Sequence, residues 1–392
     1  MQPLTSAGRP QAARGRWIWR LSGVVTLVPL TALGTFALVR AVNGSGGPQP
    51  YQATATGAFT ITEPVTALNI QSYGAPIKVT SGPADPVQVS TSISYTSAGN
   101  PPAVTHTDSG GLLTLAAPAC ANSDCSVAFT VTVPSGVNVN ASSQGGSLSV
   151  VGAATANLDS GGGPLYASGI SGSLTATAEG GDVTVNNAAA ADVDSGGGQV
   201  TATGISGKLT VHAEGGQITV SRAPTATLDS GGGPVFASAI SGALNVTAEG
   251  GGVSVSGTGP ATIDSGGGPV TATSVTGPLG VASEGGQVQV DDVTGTLTVD
   301  TGGGPMSGTV ISSSSTTVID AGGDVTLGFT AAPQSVRVST GGGNASLSVP
   351  GGPYAVTADT GGSTETVQIA TSPGAPRSIN VSTEGGNLEI GP

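Results

Sequence analysis

Large side chains are scarce in this 392-residue chain. Aromatics are 3% of it, charged residues 8%, and Cys, Met, His and Trp occur twice each. So few aromatics cannot supply the buried area of one large globular core. Two histidines, His106 and His212, leave little for acid–base chemistry, and no GxSxG elbow marks a nucleophile. The only cysteines lie in "CANSDC"; a CxxxxC pair with no further ligands nearby is not a zinc site. From residue 41 onward there are 5 bases and 23 acids, a formal charge of −18. That balance argues against nucleic acid and anionic lipid as partners of the body, since both need Lys and Arg to neutralise phosphate. The bases that remain, Lys78, Lys208, Arg222, Arg337 and Arg377, are scattered. What is present is 66 Gly and 37% apolar residues, mostly Val, Ala, Leu and Ile, which speaks against general disorder. A thin core of small side chains, repeated many times, fits this composition.

Residues 21–39, "LSGVVTLVPLTALGTFALV", carry no charge. As a helix they would span about 28 Å, near the thickness of a bilayer core. Arg14, Arg16 and Arg20 precede this run, Arg40 alone follows closely, and Trp17 and Trp19 sit at an expected interface belt. The positive-inside rule then keeps residues 1–20 in the cytoplasm as an Arg-rich tail and exports the body. A cleaved secretory signal is the competing reading. It suffers from the length of the apolar run and from Arg40 in "LVRAVNG", and it exports the same residues. Residues 40–52 read as a flexible linker. Outside the cell, a Cys120–Cys125 disulfide is the expectation.

From Asp159 the chain recurs with a period of 35, placing "DSGGG" at Asp159, Asp194, Asp229 and Asp264. A second glycine corner falls inside each unit, at Glu179, Glu214, Glu249 and Glu284. Alignment on Gly-Gly-x-apolar picks out Leu165, Val183, Val200, Ile218, Val235, Val253, Val270, Val288 and Met306. Each lies half a unit from the next, and such periods signal a stacked array. "GDVTV", "GQITV", "SLTATAE" and "KLTVHAE" alternate apolar and polar residues as strands do, with Leu174 and Leu209 turned inward. Asn-Gly and Asp-Gly hairpin signals are missing from the repeat. The expected fold is all-β. It is a parallel β-solenoid over 141–392 of about 13 coils of 17–18 residues, on the order of 60 Å long at about 4.8 Å per coil. A transmembrane helix precedes it, and 53–140 form an irregular β-rich cap. Each corner glycine is expected to accept φ > 0 or close stacking, with the preceding Asp closing an Asx-turn.

The order of an N-terminal anchor, "VTALNIQSYGAPIKV", "FTVTVPSGVNVNASSQGGSLSV" and GG-x-V-x-V coils resembles a bacterial family of unknown function called putative adhesin. The resemblance covers roughly residues 55–392, and its most specific passage is "VTVPSGVNVNASSQGG". It implies a β-solenoid on the outer face of the cell membrane with no catalytic residues. The Gly-, Ala- and Thr-rich style is similar to actinobacterial chains.

Asp159, Glu179, Asp194, Glu214, Asp229, Glu249, Asp264 and Glu284 are expected to form one acidic stripe along a corner. Turn capping and solvated charge are its plain reading; weak Ca²⁺ attraction is the other, with about one carboxylate per coil against the six to eight oxygens Ca²⁺ takes. No catalytic residue and no cofactor is expected. "TAT" at Thr175, Thr201, Thr225 and Thr271 raises ice binding, but the column of Thr201 carries Tyr166 and Phe236 in neighbouring units. The resulting expectation is a single-pass cell-surface protein displaying a Thr/Ser-rich face to a cell-wall polymer or surface protein. An envelope sensor or scaffold partnered with another membrane protein is the alternative, ahead of a polysaccharide-active β-helix enzyme or an ice binder.

Overall fold

The computed structural model describes residues 39–41, 52–83, 86–96, 101–117 and 125–392. The Arg-rich tail, nearly all of the apolar run 21–39 and most of the linker lie outside them. Among the described residues every regular element is a strand, and no helix is long and apolar enough to cross a membrane.

Each coil has two short strands separated by the glycine corner. The strands before the corner form a leading ladder and those after it a trailing ladder. Both ladders are parallel through the repeat, and the alignment made on Gly-Gly-x-apolar is the observed register: Leu165 pairs Val183, Val183 pairs Val200, and so on to Met306. Leu174 and Leu209 both lie inside the leading ladder, in register with Ala191 between them.

The interior explains why the true period is a pair of coils and not a single one. Along one buried column of the leading ladder, large and small alternate: Leu174, Ala191, Leu209, Ala226, Leu244, Ala261, Leu279. The trailing ladder alternates Ala167, Val185, Ala202, Val220, Ala237, Val255. Coils with Ala at these places carry Ile170, Ile205 or Ile240 at the far corner, while Ala188 and Ala223 fill that corner between them. Close packing at constant volume per coil requires such compensation.

Stacking in sequence order runs for about twelve turns, from Asn138 to Ser348, rather than thirteen. Both ends depart from it. The rung Ser378–Ser382 with Leu388–Gly391 does not lie last. It is inserted between Ser335–Ser348 and the rung Ala355–Asp359 with Glu365–Val367. The glycine corners after Asp359 and Thr383 therefore belong to rungs laid in reverse order, which a count along the chain cannot register.

The N-terminal end repeats the device. Its strands are β1 (Val39–Ala41), β2 (Gln52–Ile61), β3 (Ala67–Ser72), β4 (Ile77–Gly82), β5 (Val87–Thr96), β6 (Thr105–Ser109), β7 (Leu112–Ala116) and β8 (Ser126–Pro134). The rung β3–β4 lies between the rung β7–β8 and the first regular coil. Antiparallel strands then extend each ladder outward, β8 to β5 to β2 to β1 on one side and β7 to β6 on the other. Cys125 is disulfide-bonded; Cys120 lies outside the described residues.

Candidate interaction surface

Close stacking, one of the two roles expected of the corner glycines, is the one the regular repeat uses, and positive φ appears at later corners, at Gly303 and Gly342. In the repeat none of the corner glycines 161–163, 196–198, 231–233 or 266–268 has positive φ. Close approach is the requirement instead: a Cβ on Gly198 would sit 2.1 Å from the Gly181 carbonyl oxygen. The left-handed residue lies at the other corner, once per coil, at Gly169, Asn187, Gly204, Arg222, Ala239, Gly257, Ser274, Asp292 and Val310. Its side-chain type varies, so the sequence pattern conceals it.

The Asx-turn is corrected. Asp159, Asp194, Asp229 and Asp264 make no hydrogen bond to their own corner. The serine after each one does: buried Ser160, Ser195, Ser230 and Ser265 donate to the carbonyls of Gly163, Gly198, Gly233 and Gly268 at 2.6–3.1 Å. Asx bonds of the expected kind occur later, from the N–H of Gly322 to Asp320 and of Gly361 to Asp359.

The acids point outward along this edge. Asp159, Asp194, Asp229 and Asp264 share one column, alternating with Thr177, His212, Thr247 and Ala282. Glu179, Glu214, Glu249 and Glu284 sit two residues further along in the intervening coils and are exposed. Aspartates of the column are therefore two rungs apart, about 9–10 Å, too far to share an ion that binds oxygens at about 2.3–2.6 Å. Among the described residues no three His, Cys, Asp or Glu side chains converge as a metal site. Desolvation, and then the charge of Glu179, raise the carboxyl of Asp159 above its ordinary range.

Both histidines have structural partners. His212 Nδ1 lies 3.0 Å from Asp229 Oδ2, with both side chains half exposed, and Asp194 is its ladder neighbour on the other side. The sequence offset between His212 and Asp229 equals one coil, a signal that the chain itself contained. His106, on β6, stacks on Phe59 with ring centroids 4.6 Å apart.

On the trailing ladder one outward column reads Tyr166, Thr184, Thr201, Thr219, Phe236, Ser254, Thr271. Tyr166 and Phe236 are 39% and 43% exposed, four rungs or roughly 19 Å apart, with threonines between them. On the leading ladder Asn69, Asn140 and Asn157 join amide to amide at 3.4 Å, and their column continues through Thr175, Asp192, Thr210, Thr227 and Asn245. The four "TAT" threonines fall into three columns on two ladders, so they build no single lattice.

The class that these features define is an all-β parallel solenoid with two outward faces rich in hydroxyl and amide groups and an acidic edge. No family model matches the chain, and no curated protein matches it. Three crystal structures are similar. A putative adhesin from Parabacteroides distasonis is 12% identical, with a TM-score of 0.23, over 86% of this chain and 96% of that one. A putative adhesin from Parabacteroides merdae is 11% identical, TM-score 0.22, over 86% and 95%. A putative cell adhesion protein from Clostridium sporogenes is 10% identical, TM-score 0.17, over 86% and 98%. Global superposition is poor at these scores, and the fold stands on the strand registers above.

Proposed function

We propose that this chain is a non-catalytic surface β-solenoid that adheres by many weak contacts along its outward columns. The body stands outside the membrane on the anchor 21–39, and its partner is a cell-wall polymer or a neighbouring surface protein. One observation supports this reading above the others. The outward columns hold register over about twelve turns, so hydroxyls recur on most rungs of a stack spaced at about 4.8 Å, with Tyr166 and Phe236 projecting among them. A repeating ligand meets such a column many times, and linked weak contacts multiply into useful avidity. Tyr166 and Phe236 add apolar contact at two places along the column. An adhesive role is also what the names of the similar crystal structures describe for those proteins.

The test is retention of the detergent-solubilised full chain on insoluble cell-wall polysaccharide. Tyr166→Thr and Phe236→Thr together copy the column's own residues and so spare the fold. Wild type should be retained and the double variant should lose several-fold in retention. No retention of wild type on any wall fraction, or equal retention of both proteins, overturns the reading.

A further inference from the structure

Inside the glycine corner, one buried slot per coil is filled by Ser, Thr or Ala. From Ser160 onward a hydroxyl there donates to the carbonyl of the residue three positions on, as at Ser160, Ser195, Ser230, Ser265, Thr340 and Thr383, while Ser72 and Ser143 at the N-terminal end donate to the carbonyls of Val127 and Ala75. Two adjacent coils break this pattern. Thr301 and Asp320 are ladder partners in that slot, each 2% exposed. Asp320 Oδ1 accepts the N–H groups of Gly322 and Gly323 at 2.8 and 2.6 Å. Asp320 Oδ2 and the Thr301 hydroxyl, both buried, have no hydrogen-bond partner. The Gly304 carbonyl, which a Thr301 hydroxyl would reach by analogy, receives no hydrogen bond either. It faces Gly323 together with Oδ2: the two oxygens are 2.6 and 2.9 Å from the point where a Cβ on Gly323 would stand.

Asp320 is the only buried Asp or Glu among the described residues, and the one ion pair among them is elsewhere, at His212 and Asp229. Buried charges are paired or hold a metal, because leaving one unpaired in a low dielectric is costly. A water molecule could satisfy the three oxygens but would leave the charge uncompensated. Calcium takes six to eight oxygens, usually from several carboxylates, and this corner has one. We propose that the Thr301–Asp320 corner binds one small monovalent cation through Asp320 Oδ2, the Thr301 hydroxyl and the Gly304 carbonyl. The ion neutralises the single charge and ties two coils together from within. This site is independent of the adhesive columns, which lie on the outside.

Thermal unfolding of the detergent-solubilised full chain in sodium chloride and in choline chloride tests the site. Equal ionic strength makes screening of the acidic surface the same in both. A ligand that binds only the folded state raises the midpoint by mass action. Wild type and Asp300→Asn, an exposed acid one coil away, should melt several degrees higher in sodium. Asp320→Ser, which places there the residue found in this slot at Ser160, Ser195, Ser230 and Ser265, should lose that difference while keeping its β circular dichroism. Thr301→Val should shrink it, and decides the matter if Asp320→Ser does not fold. Equal midpoints for wild type in the two salts overturn the proposal, as does a sodium effect that survives Asp320→Ser or a rise seen only with calcium chloride.

Discussion

A Cβ on Gly198 would meet backbone at 2.1 Å, whereas one on Gly197 would meet nothing within 4 Å. Adjacent glycines of one corner thus differ in kind. Gly198→Ala should destabilise by roughly 1–3 kcal/mol or more, because stacked backbones cannot move apart without breaking the ladder. Gly197→Ala should stay within about 0.5 kcal/mol of wild type; denaturant midpoints of the two variants check both. Charge along the same edge gives a pH-dependent outcome. Asp159 has its carboxyl raised above the ordinary value of 3.8 by desolvation and by Glu179. The folded state therefore holds this proton more tightly than the unfolded state. Stability from this group is highest below pH 3.8, falls as pH climbs through the raised value, and is level beyond it. Asp159→Asn should raise the melting temperature at neutral pH and leave it nearly unchanged in acid, as read from melting curves across that range.

Among the elements, the inserted C-terminal rung carries the clearest consequence. Strands Ala355–Asp359 and Glu365–Val367 find their ladder partners in Ser378–Ser382 and Leu388–Gly391, not in the strands that precede them in sequence. A chain ending at Pro376 would leave a gap one rung wide. Residues 350–376 should then become protease-sensitive while 138–349 stay resistant. A chain ending at Val349 removes the outer rung and the insert together, leaves no gap, and should resist the protease over the same 138–349 core. Equal resistance of residues 350–376 with and without the inserted rung would contradict this topology. Fully buried Tyr354, its hydroxyl 2.6 Å from the Pro350 carbonyl, anchors the segment that crosses to the outer rung.

For the whole molecule, the segregation of charge makes the prediction. Arg9, Arg14, Arg16, Arg20 and Arg40 all precede residue 41, and all 23 acids follow it. If 21–39 is a retained anchor, antibody to a C-terminal tag should stain intact cells, and antibody to an N-terminal tag only permeabilised ones. A mature chain starting near residue 41 would instead identify the run as a removed signal. The acidic body should also show little affinity for nucleic acid or anionic vesicles, since it has few bases with which to displace counterions.

Period and alternation determined the coil by themselves. So short and regular a spacing between equivalent apolar positions admits few arrangements other than parallel stacking. Val183, Val200 and Ile218 occupy the register read from the chain alone. The outward setting of the acids followed from the same alternation. What tertiary structure decided was whatever depends on the coil below. Whether Gly198 is required depends on the Gly181 carbonyl, which belongs to the preceding coil. The cap of each corner is a serine turned inward, not the aspartate beside it, because alternation buries one and exposes the other. The left-handed residue can be Gly, Arg or Val, since the stack imposes its φ whatever the side chain. The order of the terminal rungs is invisible along the chain for a related reason: a parallel strand pairs equally well with a rung above or below, and only packing at the ends selects between them.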